Sequence, residues 1–380
     1  MLVINADEKL EVPFNFEIKY KGKKPQIIIK NADERIFVDE ITIRGDSVNF
    51  KMPVFDTEFR TALKGNQLEG VWINHYKTSD NIMKFRAEFN EGKRFLFVPG
   101  KPDPCFEGRW ETTFSPGVKD SSKAIGVFHH LEQTDYLSGT FLTETGDYRY
   151  LEGMKHGSQI FLSSFDGKHA YLFVAALGAD ESLSGKFYSG TTWKEDWRAR
   201  RNEGFKLNDP ERITYLKNKD EKINFSFPNL DKKIVSLNDK KFENKAVIIQ
   251  VMGSWCPNCM DESVYLSSVY RQFKDQGLEV VALAFEKTTD FEKARALLLR
   301  MKTRLKMEYD VLVTLQNGSV QASETFPALN KISAFPTTIF LNREHRVVKI
   351  YTGFSGPATG KDYETYKEQT EALIKNLLKD

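Results

Sequence analysis

Cys256 and Cys259 lie three residues apart in Trp255-Cys256-Pro257-Asn258-Cys259. Thiols at that spacing serve disulfide exchange, zinc knuckles or haem attachment, and the flanks choose among these. Upstream, Ala246–Met252 is an apolar run, interrupted only by Gln250 and rich in β-branched residues, the pattern of a buried parallel strand. Downstream, Val264, Leu266, Val269, Tyr270 and Phe273 recur at helical spacing until Gly277 supplies a stop. Strand, dithiol turn and helix put Cys256 at a helix mouth, where unpaired N–H groups and the macrodipole favour an anion. Pro257 at the first helical position sacrifices no hydrogen bond and presets φ. Cys259, almost a turn further in, is expected to be shielded yet close to the first sulfur. Cys256 is therefore read as a redox nucleophile and Cys259 as its resolving thiol. A zinc half-site would need two more ligands. Cys105 is the only other thiol and the six histidines show no paired ligand spacing, so no metal and no cofactor is assigned.

A second candidate piece is Ala334-Phe335-Pro336-Thr337-Thr338-Ile339-Phe340-Leu341, a proline opening an apolar strand. Asn342-Arg343-Glu344 then turns into the run His345–Tyr351. With these residues, Phe225–Val235 and Val251-Met252-Gly253-Ser254-Trp255-Cys256, the stretch 223–380 resembles the thioredoxin-like domain of the TlpA/ResA-like thiol–disulfide oxidoreductases, related to AhpC/TSA proteins. That resemblance implies a cis Phe335–Pro336 bond facing the dithiol, with the Phe335 backbone open to an extended substrate segment. Trp255, Pro257, Phe335, Pro336 and Thr337 are then the substrate-binding residues. Glu262, three residues after Cys259, matches an acid that the family places beside its redox pair. A carboxylate there can shuttle the Cys259 proton, or it is a solvated acid of the kind favoured in a first helical turn. Two departures stand out. Val264 replaces a proline common in the family, and Gln250 occupies the place of a buried aspartate in classical thioredoxins.

The elements that must position these groups follow. Leu278–Phe285 reads as a second parallel strand and Val311–Leu315 as a short one. Phe291, Ala294, Leu297, Leu298, Met301 and Leu305 form a helical stripe opened by Asp290 as N-cap, and Glu364–Leu378 is a closing helix. Alternating strands and helices imply an α/β domain with a mostly parallel sheet covered on both faces. Phe354–Gly360 is a Gly/Pro loop that, by the resemblance, lines the redox groove.

Residues 1–205 are different. Short alternating runs (Gln26–Lys30, Arg35–Val38, Ser47–Lys51, Leu68–Ile73, Lys84–Phe89, Arg94–Val98, Ala124–His129, Leu137–Leu142, Arg149–Glu152, Gln159–Phe165, Lys168–Ala175, Leu183–Tyr188) are punctuated by Gly, Asn and Asp. They predict an all-β antiparallel barrel or sandwich. An apolar-x-Gly-x-aromatic pattern recurs at Leu68–Trp72, Phe106–Trp110, Leu137–Phe141 and Leu183–Phe187, suggesting glycines at bends and aromatics inside. Through Gly139–Leu151 and Phe165–Ala170 this region resembles the β-rich N-terminal domain of TlpA-like proteins from Bacteroidetes-type bacteria. Asp147, Arg149, Asp166 and His169 are read as hairpin caps and mutual pairs rather than as a polar site. Trp193, Trp197, Arg198, Arg200 and Arg201 are read as an interdomain strap with solvated arginines.

Composition bounds the rest. The 380 residues suit two domains, a β-rich one at 1–205 and a thioredoxin-like one at 223–380, with 206–222 as linker. A net charge of +2 without a basic block argues against nucleic acid. Apolar runs are too short for a membrane span. Met1–Asn5 is too brief for a signal-peptide core, and the resemblance implies work in the cell envelope or periplasm, so the expectation is a mature form written with a starting methionine. Cys105 is expected to be a buried apolar residue rather than a redox partner. The function that emerges is thiol–disulfide exchange with protein substrates and an upstream redox partner, reductive by family likeness. The rivals are a peroxiredoxin-like peroxidase, whose Thr-x-x-Cys loop Gly253–Cys256 does not match, and a protein-binding module in which the β domain docks partners.

Overall fold

A computed structural model describes residues 1–5, 8, 10–96, 104–130 and 134–379. It divides into two compact units: residues 1–142 with 148–207, and residues 208–380 with the short segment Thr143–Asp147.

The first unit is all antiparallel β. Eight strands close a barrel in the order Ser122–His130, Gly108–Phe114, Trp193–Arg201, Ser182–Ser189, Ala170–Leu177, Gln159–Phe165, Leu151–His156 and Tyr136–Thr143, the last pairing back to the first. Closure leaves no open edge. Alternation along these strands sends Phe114, Phe128, Phe141, Phe173, Phe187 and Trp197 into one buried core, so side chains fill the interior. Two of the recurrent glycines lie where the neighbouring strand's backbone passes close. A Cβ on Gly139 would come 2.2 Å from Val127 O, and one on Gly185 2.0 Å from Val174 O, closer than any side chain is tolerated. A seven-stranded sheet and a three-stranded sheet, Asn15–Lys21, Lys24–Asn31 and Glu34–Val38, complete the unit.

Three expectations are corrected here. Trp193–Arg201 is a barrel strand, not a strap: Trp197 and Ala199 are buried while Arg198 and Arg200 point out. Arg94–Leu96 is not a strand, and Phe97 and Val98 lie outside the described residues. Arg94 is instead a buried cross-link that donates to Lys30 O at 2.6 Å and to Glu152 Oε2 at 2.9 Å. Cys105 is exposed rather than buried. The polar residues Asp166 and His169 do cap a hairpin, with Asp166 Oδ1 accepting from the His169 N–H at 2.6 Å and His169 Nδ1 3.0 Å from Asp166 Oδ2.

The second unit is a thioredoxin-like α/β domain. Its sheet runs Asp310–Val313, Leu278–Ala284, Ala246–Met252, Thr337–Leu341, Val347–Thr352. It is mixed rather than mostly parallel: the first three strands are parallel and the last two antiparallel to their neighbours. Parallel order ends at Thr337–Leu341, which runs antiparallel to the central strand, and a hairpin through Asn342–Arg346 then adds the edge strand. Four helices are described: α1 Pro257–Phe273, α2 Phe291–Leu305, α3 Gly318–Thr325 and α4 Lys361–Leu377. The central strand Ala246–Met252 is buried at every position, the polar Gln250 included. Its carboxyl end delivers the chain into α1, with Asp290 capping α2 through the Lys293 N–H at 3.0 Å.

Candidate active site

Cys256 is the N-cap residue of α1 and Pro257 its first helical residue. Cys256 and Cys259 are joined as a disulfide, with Cα atoms 5.2 Å apart. The Cys259 N–H points at Cys256 Sγ from 3.2 Å, so a helix-end donor awaits negative charge on that sulfur. Cys259 is fully buried, and Cys256 nearly so. Cys256 Sγ lies 3.3 Å from Phe335 O, and the Phe335–Pro336 bond is cis, as the resemblance implied.

Trp255 folds back over Gly253. Its Nε1 donates to Phe285 O at 2.8 Å, its ring meets Phe335 edge-on at 5.2 Å, and the Lys287 ammonium sits 4.3 Å from the ring centre. A Cβ on Gly253 would come 2.3 Å from the indole nitrogen, which explains glycine there. Thr337 does not share this surface: its side chain is fully buried and Oγ1 donates to Ala334 O at 2.8 Å. Pro257 is buried as the start of the helix. In the Phe354–Gly360 loop, Gly356 lies against the Asp261 carboxylate, and its N–H donates to Asp147 Oδ2 at 2.5 Å. Asp147 thus belongs to the second unit, whereas Asp166 and His169, with which the sequence grouped it, belong to the first.

Glu262 is fully buried, so the solvated alternative is excluded. Gln250 Nε2 donates to Glu262 Oε2 at 2.8 Å and reaches Cys259 O at 3.4 Å, while Thr338 Oγ1 donates to Glu262 Oε1 at 2.5 Å. Burial pushes the Glu262 carboxyl up to about 7, against the pull of its hydrogen-bond donors. Gln250 thereby ties the Glu262 carboxyl to the backbone carbonyl of Cys259.

Sequence reasoning missed a second buried acid. Glu286 Oε1 accepts the Ser254 N–H and Oε2 the Ser254 hydroxyl, each at 2.7 Å. Burial raises its carboxyl above the ordinary range. The signal was present in the register. Met252 pairs with Ala284, so Ser254 and Glu286 each lie two residues beyond neighbouring parallel strands, at the carboxyl edge where α/β sheets place their sites.

A disulfide-bonded C-x-x-C at a helix head, set on this sheet, defines a thiol–disulfide oxidoreductase domain. Residues 219–350 match the AhpC/TSA family. The C-terminal domain is an AhpC/TSA thioredoxin-like domain related to the ResA/TlpA thiol–disulfide oxidoreductases, preceded by a β-rich region. The chain is 26% identical over 140 residues to the thiol-disulfide oxidoreductase ResA of Bacillus subtilis, covering 37% of this chain and 70% of that protein. It is 25% identical over 156 residues to ResA of Bacillus thuringiensis subsp. konkukian, covering 40% and 75%. A thiol-disulfide oxidoreductase structure from Bacteroides fragilis aligns at 18% identity with a TM-score of 0.30, over 38% of this chain and 99% of that one. Among the described residues, no helix is long and apolar enough to cross a membrane.

Proposed function

We propose that this protein is a protein disulfide reductase of the cell envelope or periplasm. The Cys256 thiolate attacks a substrate disulfide, forming a mixed disulfide and releasing one substrate thiolate. Glu262 takes the Cys259 proton, and Cys259 then attacks Cys256 Sγ, releasing the second substrate thiol and forming the Cys256–Cys259 disulfide. An upstream redox partner returns the two electrons. Trp255, Phe335 and Pro336 form the surface that receives the extended substrate, and Pro257 and Thr337 hold the backbone beneath it.

The observation that carries this reading is the fully buried Glu262 carboxyl, poised near neutrality one helical turn after Cys259 and tied through Gln250 to the Cys259 backbone carbonyl. Reduction is favoured over oxidation because two buried carboxylates, Glu262 and Glu286, oppose thiolate charge at the helix head. Strong oxidants of this fold instead stabilise the reduced thiolate.

Trapping with Cys259→Ser in cell-envelope extract is the test. A reductase accumulates protein mixed disulfides that require Cys256 and dissolve with dithiothreitol. Partners retained without a covalent link would instead make the chain a docking module.

A further inference from the structure

Cys105 Sγ lies 3.5 Å from His130 Nε2, and the same nitrogen lies 3.8 Å from Glu107 Oε2. The three donor atoms fall within 4.8 Å of one another. Both the thiol and the carboxylate converge on one ring nitrogen, so the group is not a relay in which a carboxylate orients the far side of an imidazole. It is the layout of ligands around a shared point. Zinc bonds of about 2.3 Å to sulfur and about 2.0 Å to nitrogen place those atoms about 3.5 Å apart across a tetrahedral edge. The Cys105–His130 separation already has that length.

The segment that carries two of the donors is held rigidly. Arg201 donates to the carbonyls of Cys105, at 2.8 Å, and of Glu107, while Trp110 Nε1 donates to Phe106 O at 2.9 Å. Three successive carbonyls are thus pinned. Phe106 between the donors is fully buried, and the Arg201 guanidinium packs over the Trp110 ring at 4.8 Å. Gly108 then turns with φ +113°, where a Cβ would strike Glu203 and Arg201. Anchoring Phe106 inward throws Cys105 and Glu107 to the other side, toward the end of the Ser122–His130 strand. On His130, Nδ1 is buried without a partner among the described residues, while Nε2 faces Cys105 and Glu107.

We propose that Cys105, Glu107 and His130 form a zinc site of the β-rich unit, with the fourth tetrahedral corner open to water or an outside donor. A thiolate, an imidazole and a carboxylate make a borderline-soft set suited to Zn²⁺, and the thiol proton passes to solvent as the metal–sulfur bond forms. Such a site ties the segment entering one barrel strand to the end of its neighbour.

The test uses the full-length chain, metal-free and with Cys256–Cys259 oxidised so that the dithiol cannot compete. Cobalt(II) is added first, then Zn²⁺ in competition with a chromophoric chelator. The expected result is a sulfur-to-cobalt charge-transfer band saturating at about one equivalent, abolished by zinc and absent from Cys105→Ser, with zinc affinity at least about tenfold weaker in Glu107→Gln and His130→Gln. The Cys256→Ser/Cys259→Ser variant should bind as the wild type does. Glu107 is half-exposed, so its variant keeps the test intact should His130→Gln fail to fold. A missing band, a band that follows Cys256 and Cys259, or an affinity indifferent to both Glu107→Gln and His130→Gln overturns the site.

Discussion

Two buried carboxyls, Glu262 and Glu286, lie beside the dithiol turn, and the proposed chemistry gives each a testable part. Glu262 has its proton affinity raised from the ordinary 4.5 to about 7 by burial. Between those values the folded chain keeps a proton that the unfolded chain has released, so stability is full at the acid end and declines as pH rises through the window. The loss is about 3 kcal/mol at roughly 1.4 kcal/mol per pH unit. Denaturant unfolding of the oxidised protein at about pH 5 and about pH 8 should show that decline in the wild type and not in Glu262→Gln. Parallel profiles for the two proteins would place the proton elsewhere. The same substitution is expected to slow resolution of the mixed disulfide about 100-fold and to erase its inflection near neutrality. Glu286 acts at the other side of the turn, through Ser254. Glu286→Gln removes a charge that opposes the Cys256 thiolate, so the reduction potential should rise by about 30 mV, a tenfold change in the exchange equilibrium. Redox titration against a glutathione buffer reads it, and an unchanged potential with lowered stability would leave Glu286 as a clamp on the Ser254 backbone alone.

At the scale of elements, the turn between the central strand and α1 depends on the indole lying over Gly253. Gly253→Ala puts a methyl where Trp255 Nε1 lies and should detach the ring from Phe285 O. KM for a disulfide-containing peptide is expected to rise about tenfold, roughly the loss of one hydrogen bond of ~1 kcal/mol with its packing, while a small aromatic disulfide reacts at the wild-type rate. Equal falls with both substrates would mean that the dithiol turn itself had been distorted. These elements differed in how plainly they could be read. The Ala246–Met252 strand was visible because every residue is apolar and every one is buried, Gln250 excepted in polarity but not in burial. Ile82–Glu88, expected over Lys84–Phe89, was visible because polar and apolar residues alternate along it. Glu40–Arg44 and α3 were not: the first is a mostly exposed strand whose apolar residues face outward, and the second buries only Ala322. Trp193–Arg201 misled because its arginines dominate the composition, whereas the fold is decided by Trp197 and Ala199 on the other face. The dithiol followed from its spacing at a helix mouth, and Glu262 from the family resemblance. The Ser254–Glu286 pair needed the register of two strands, and the Cys105–His130 approach needed a strand pairing across 25 residues.

The whole molecule contains separate hydrophobic cores, one lined by barrel residues such as Phe141, Phe173 and Trp197, the other by Val247, Ile249, Val281, Leu283 and Ile339. No residue belongs to both. Cores that share no side chains can melt as distinct cooperative units. Phe173 stacks on Phe187 with ring centres 4.2 Å apart and on Phe141 at 4.7 Å, so Phe173→Ala removes the middle of an aromatic stack. A truncation of that kind costs about 3–5 kcal/mol in a core that cannot collapse onto the cavity. The expected outcome is two unfolding transitions in the oxidised protein. Phe173→Ala should shift only the one reported by the barrel tryptophans, and reduction of Cys256–Cys259 only the one that follows the thioredoxin-like unit. Exchange with a small disulfide should proceed at the wild-type rate in Phe173→Ala well below the first transition. A single transition displaced by both changes, or a fall in exchange rate that tracks the barrel's stability, would mean that the redox unit draws its stability from the β-rich one.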